Sequence, residues 1–220
     1  MFENRQQAGQ ALARRLDTID PGSTVILALP RGGVPVAREV CSATGTPLDL
    51  ILVRKVGAPG HSELAVGALA DGPPPTLVIN REVAASCGLS EGDVRKLAKA
   101  EEPELERRRK AYLGSRRPID LAGRTAIIVD DGIATGATMK AAVKAARARK
   151  AALVVVAVPV ASREAIQQLK SEADHVICLD APEPFWAVGQ HYASFPQVTD
   201  EEVTEALAAY PHDEPGKTAS

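Results

Sequence analysis

Thr125-Ala126-Ile127-Ile128-Val129-Asp130-Asp131-Gly132-Ile133-Ala134-Thr135-Gly136-Ala137-Thr138 joins an apolar run to two adjacent acids and then to a turn of small residues. The run Thr125 to Val129 reads as a strand covered on both faces, and the residues from Thr138 onward read as a helix. Small residues between strand and helix let the backbone approach an anion, and the free N–H groups of the helix start favour a phosphate there. Thr135 and Thr138 can add hydroxyl donors. Two neighbouring carboxylates would repel a bare phosphate, so Asp130 and Asp131 need sugar hydroxyls or a metal ion as partners. A sugar phosphate meets both requirements. The competing reading, acids that merely cap the helix, explains one carboxylate but not two in a row.

Outward from this turn, strand-like runs recur at Thr24 to Leu29, Leu48 to Val53, Thr76 to Ile79, Leu153 to Val158 and His175 to Leu179. Helical stretches are expected at Val34 to Ala43, Thr138 to Arg149 and Arg163 to Lys170. An amphipathic first helix carrying Ala8, Leu12 and Leu16 should end near Pro21-Gly22 and cover one face of the sheet. The alternation predicts an α/β fold with a doubly wound parallel sheet flanked by helices. In such sheets ligands bind beyond the carboxyl ends of the strands, which directs attention to the loops after Leu29, Val53, Val129 and Leu179.

Each of those loops carries suitable chemistry. Pro30-Arg31-Gly32-Gly33 offers a fixed fork of donors and two glycines that permit close backbone approach, although a plain tight turn would use the same residues. Lys55, after Arg54, is a candidate cation for an anionic leaving group, with a solvated surface lysine as the alternative. The stretch from Gly57 leads through His61 and Glu63 to Asp71, and these two polar residues either are solvated or assist at the reacting centre. Phe185, Trp186 and Tyr192 gather in the loop over 180–192, where an aromatic can stack on a flat base or build a small accessory core.

Composition narrows the function classes. With 220 residues, 45% of them hydrophobic, the chain can build one sizeable core. A net charge of −2 gives no basic footprint for nucleic acid, so a small ligand is favoured. Cys41, Cys87 and Cys178 form no CxxC pair, which suits a reducing cytoplasm, and no apolar run is long enough to span a membrane. Glu91 to Leu113 reads as a charged helix capped by Ser90 that Pro103 should kink or break. Its run Arg107 to Lys110 is expected to be a solvated face, the alternative being contact with an anionic ligand or a neighbouring subunit. Thr199 and Glu202 form a capping-box pattern for a last helix through Leu207, and 211–220 should be a disordered tail.

The segment Val129 to Thr138 resembles the phosphoribosyl-diphosphate motif of type I phosphoribosyltransferases, an apolar strand followed by Asp-Asp and a Thr-Gly-x-Thr turn. The resemblance implies one such domain over residues 1–210, with a hood mainly over 180–199 to which the N-terminus can contribute. It implies that Asp130 and Asp131 take the ribose hydroxyls while Gly132, Ile133, Ala134, Thr135, Gly136, Ala137 and Thr138 enclose the 5-phosphate. Gly132 stands where the family usually carries an aliphatic residue. Arg31, Gly32, Gly33 and Lys55 would hold the diphosphate, and the loop after Lys55 would close over the reacting centre. The hood resembles that of hypoxanthine-guanine-type members, which aligns Trp186 with the base-stacking position beside Val188. Ala193 falls where those members carry an acid, so the acceptor base stays unassigned. The implied reaction passes a phosphoribosyl group from phosphoribosyl diphosphate to a heterocyclic base. Mg2+ would be held mainly through diphosphate and ribose hydroxyls, with Asp130 or Asp131 as direct ligands. The implied catalytic set is Asp130, Asp131, Lys55 and Arg31, and a homodimer is compatible with the resemblance. A non-catalytic regulator that binds the same ligand is the alternative.

Overall fold

The computed structural model describes residues 1–72, 74–114 and 116–210, so the expected tail lies outside the described residues. Five strands, β1 (Thr24–Ala28), β2 (Leu48–Leu50), β6 (Thr125–Val129), β7 (Leu153–Val160) and β8 (His175–Asp180), form a parallel sheet in the order β2-β1-β6-β7-β8. Three more, β3 (Val53–Ala58), β4 (His61–Ala70) and β5 (Thr76–Ile79), form a separate antiparallel sheet. The helices are α1 (Arg5–Ala13), α2 (Gly33–Thr44), α3 (Arg81–Ser86), α4 (Glu91–Leu113), α5 (Ala137–Ala148), α6 (Arg163–Leu169) and α7 (Asp200–Ala208). The fold is the expected one, a helix-flanked parallel sheet.

The apolar runs show why the sheet is buried twice over. Ile26, Ala28, Ile127, Val129, Val155 and Ala157 face a core shared with Val36, Ala37 and Val40 of α2 and with Leu12 of α1. The alternate residues Val25, Leu27, Ala126, Ile128, Val154 and Val156 face a second core with Met139, Ala142 and Ala146 of α5 and Leu169 of α6. Strand periodicity of two thus serves two helical layers, and no polar face is left over. In the register, Ala28 of β1 lies opposite Val129 of β6, so the loops that follow these two strands leave the sheet side by side. This is the point where the strand order reverses, and the crevice there is the expected ligand position.

Five expectations need correction. The stretch Leu48 to Val53 is not one strand: β2 ends at Leu50, and Val53 starts the second sheet. Thr76 to Ile79 is a strand but pairs with β4, outside the parallel sheet. The presumed loop from Gly57 to Asp71 is mostly strand, turning at Gly60, whose φ of 76° suits glycine. Seven of its fifteen residues are Gly or Ala and only Val66 is β-branched, so the local strand signal is weak. Close packing requires that smallness at Gly67, where a Cβ would lie 2.7 Å from the Val78 carbonyl oxygen and 3.3 Å from Val94. Finally, α4 runs unbroken through Pro103. Pro103 and Lys99 are exposed, so the Lys99 carbonyl that proline leaves without an acceptor role can face water. Val94, Ala98, Leu105, Tyr112 and Leu113 anchor the helix on both sides of it. The first helix also ends earlier than expected, at Ala13, although Leu16 is buried in the core beyond it.

Candidate functional site

The two loops singled out after β1 and β6 meet at the reversal point. A Cβ on Gly32 would fall 2.1 Å from Asp131 Oδ2, and one on Gly33 would fall 2.6 Å from the Val129 carbonyl oxygen. Glycine at both positions is therefore a condition of the contact between the loops, since any side chain would push Arg31 away from the acids. The peptide Pro30–Arg31 within this loop is cis. Gly132 has its own reason: its Cβ would lie 2.6 Å from Val188 and 2.9 Å from Val160, so the hood and the end of β7 occupy the space of an aliphatic side chain.

The turn itself is pinned from the next strand. Ile133 N–H donates to the Val160 carbonyl at 2.9 Å, Ser162 N–H donates to Ile133 at 2.9 Å, and the Ser162 hydroxyl donates to Ala134 at 2.6 Å. Ala134 and Thr135 are exposed, and Gly136, with φ 78°, turns the chain into α5. No side chain caps α5, so its first-turn N–H groups are available to an anion.

Asp130 Oδ1 accepts the Asp131 N–H at 2.9 Å. Desolvation, then the neighbouring Asp131 charge, pushes the Asp130 carboxyl well above the usual carboxylate range. Burial raises Asp131 as well, and Arg5 pulls against that rise. Arg5 Nε donates to Asp131 Oδ2 at 2.7 Å, and the Tyr192 hydroxyl donates to the Asp131 carbonyl at 2.5 Å. The two partners come from the start of α1 and from the segment after β8, which are themselves in contact. Phe2 bridges to Tyr192, and Ala193 and Ser194 N–H donate to the carbonyls of Phe2 and Glu3 at 2.8 and 2.9 Å.

A cavity of about 510 Å³ opens here, lined by Arg5, Arg31, Gly32, Asp131, Val188 and Phe195 with the chain through Val198. Of the residues expected at the site, the structure brings together Asp130, Asp131, Gly132, Arg31, Gly32, Gly33 and Val188. Lys55 lies exposed on β3 and does not line the cavity. Trp186 is 75% exposed, also outside that lining, and the aromatic at the cavity wall is Phe195. His61 is exposed at the start of β4, and the Glu63 side chain lies outside the described residues. The Arg107 to Lys110 run pairs with Glu104, Glu106 and Asp71 along or beside α4, with Arg107 and Lys110 exposed and Arg108 and Arg109 half-buried.

Arg5, Phe195 and Asp200 were not singled out from sequence, and Tyr192 was read only as one of the aromatics of its loop. Arg31 Nη1 approaches Asp200 Oδ1 at 3.4 Å, a loose pair, while the Tyr112 hydroxyl donates to the same oxygen at 2.7 Å. Only the capping pattern at Thr199 marked this neighbourhood. Among the described residues no group of three or more His, Cys, Asp or Glu could hold a metal ion. The adjacent Asp130 and Asp131 instead suit a hard cation that keeps water and ligand oxygens in its shell. Among the described residues no helix is long and apolar enough to cross a membrane.

A family model described as "Phosphoribosyl transferase domain" matches residues 3–194. Two Mycobacterium tuberculosis proteins, one named "Putative phosphoribosyl transferase Rv0571c", are 44% identical over 207 residues, which is 94% of this chain. The chain spans about half the length of these curated relatives, 46%. The crystal structure of TT1426 from Thermus thermophilus is 40% identical, with a TM-score of 0.80 over 96% of this chain and 99% of that one. The AQ2163 protein of Aquifex aeolicus, at 10% identity and a TM-score of 0.52, shares the fold over 93% of this chain and 84% of its own.

Proposed function

We propose, from the premise that the chain belongs to the phosphoribosyl transferase domain family, that it transfers the 5-phosphoribosyl group of phosphoribosyl diphosphate to a nitrogenous base. The observation that carries this reading is the meeting of the Arg31 loop with Asp130 and Asp131 beside the uncapped start of α5. One crevice thereby offers acids for sugar hydroxyls, N–H groups for a 5-phosphate and a guanidinium for a second anion.

In the reaction, the bond from ribose carbon 1 to the diphosphate oxygen breaks, and its electron pair leaves with diphosphate. The acceptor nitrogen forms the new bond and gives up its proton to solvent. Positive charge grows on the ribose as the bond lengthens. Asp130 and Asp131 hold the ring by its hydroxyls, and Arg31 with the Gly32 backbone receives the diphosphate. The loose pair between Arg31 and Asp200 leaves the guanidinium free to turn toward that group. Lys55 would have to reach the leaving group from β3. The chemistry that bound magnesium would supply is neutralisation of phosphate charge, and Asp130 and Asp131 are the residues that would hold it. Val188 and Phe195 form the wall nearest the acceptor, and Trp186 joins them if the hood turns inward.

A screen of purines, pyrimidines and related heterocycles for diphosphate release from phosphoribosyl diphosphate with Mg2+ tests the activity. Release with at least one acceptor is expected. No release with any of them would replace catalysis by ligand-dependent regulation as the use of the site.

A further inference from the structure

Resting on the sugar-phosphate reading of the site, we propose that Arg5 is a positioning residue that presents Asp131 to the sugar as an oriented carboxylate. Arg5 begins α1, is 8% exposed, and meets two separate parts of the chain, Asp131 and the pair Phe195-Pro196. Its Nε donates to Asp131 Oδ2 at 2.7 Å, its Nη1 donates to the Pro196 carbonyl at 2.6 Å, and its Cζ lies 3.7 Å from the centroid of the Phe195 ring. A planar guanidinium is suited to this combination, because it can stack on the ring while two edges of the fork stay aimed. A lysine would keep the charge but not the fork.

The consequence for Asp131 is geometric. Arg5 fixes Oδ2, with the Asp130 carboxyl as the other side-chain partner, and so sets how the Asp131 carboxylate is turned in the cavity that it lines. The groups that face this carboxylate are Arg5 from α1, Asp130 from the end of β6, the Tyr192 hydroxyl from the hood and Arg31 across the cavity. Arg5 is the cation in contact with it, and it opposes the rise that burial causes. Since Pro196 and Phe195 hold Arg5 from the hood side, the acid is also tied to the part of the molecule that would cover the acceptor.

Calorimetry with ribose 5-phosphate and with inorganic phosphate, which carries no sugar hydroxyl, tests the role, using the intact protein, Arg5→Gln and Arg5→Lys, with thermal melts of each. For Arg5→Gln the Kd of ribose 5-phosphate should rise roughly tenfold while that of inorganic phosphate stays the same. For Arg5→Lys, which keeps the charge but not the fork, the Kd of ribose 5-phosphate should also rise and that of phosphate should not. A residue that merely supports the fold would lower the melting temperature and weaken both ligands by the same factor, and that result overturns the proposal. Unchanged or tighter binding of ribose 5-phosphate by Arg5→Gln overturns it too, the latter because Arg5 would then compete with the sugar. If Arg5→Gln does not fold, Arg5→Lys decides, and unchanged binding of ribose 5-phosphate by it rejects the role of the fork. No binding by the wild-type protein removes both this proposal and the reading on which it rests, whereas wild-type binding with an indifferent Arg5→Gln removes only this one.

Discussion

At the scale of single residues, the site depends on what is absent from Gly32 as much as on the acids themselves. Ala at this position would place a methyl group 2.1 Å from Asp131 Oδ2, so the loop after β1 and the acid cannot both keep their places. Gly32→Ala should therefore weaken ribose 5-phosphate binding by roughly tenfold or more while leaving the fold intact, as calorimetry and circular dichroism would establish. Equal affinity would mean that the contact between the loops is irrelevant to the ligand. Trp186 poses a different question, because its exposure sets it apart from Phe195 at the cavity wall. If the hood turns inward over a base, Trp186→Ala should raise the acceptor's KM severalfold and leave that of phosphoribosyl diphosphate unchanged. Equal effects on both would exclude stacking by this residue. The acids, the glycine pair and Arg31 were legible in sequence because each sits where a strand ends, and the chemistry of strand ends is local. Arg5 was not, since its partner lies 126 residues away and nothing in the pattern of α1 marks that position. Phe195 escaped for the same reason: it is recognised by the guanidinium stacked on it, not by its neighbours in sequence.

At the scale of elements, continuous apolar runs made β1, β6 and β7 readable, because strands buried on both faces need nothing else. The second sheet was hidden. β4 carries Ala or Gly at four of its ten positions, and its register against β3 shifts around Gly57, so neither composition nor alternation announces it. It exists because α4 packs across it, with Val94 close to Gly67. The same helix tolerates a residue that should have broken it. An internal proline removes one helical hydrogen bond and disfavours the turn before it, at about 3 kcal/mol relative to alanine. Pro103→Ala should thus stabilise the protein by about 1–3 kcal/mol in chemical denaturation, reduced somewhat because alanine also loosens the unfolded chain. A loss of stability would show instead that the proline shapes α4 in a way its neighbours require.

At the scale of the whole molecule, one set of contacts joins the N-terminus, the hood and the end of β6 around a pair of desolvated acids. Such a pair costs stability. A carboxyl whose value is raised on folding contributes stability fully below the ordinary carboxylate range and loses it as pH rises through the raised value. Asp130 is such a group, through desolvation first and the Asp131 charge second. Asp130→Asn keeps an oxygen to accept the Asp131 N–H and cannot ionise. Its melting temperature should exceed that of the wild-type protein by roughly a few degrees at about pH 8, and by less at about pH 5. A gain that is larger in acid would reverse the assigned direction. Stability given up by acids in a crevice is what a ligand site at the reversal point of a parallel sheet requires, and the resemblance of Val129 to Thr138 pointed there before any contact was visible. Calorimetric titration of ribose 5-phosphate, with Mg2+ present, into the wild-type protein and Asp131→Asn tests that assignment most directly. Binding by the wild type and a weakening of roughly tenfold or more in the variant is the predicted result; equal binding by both would contradict it.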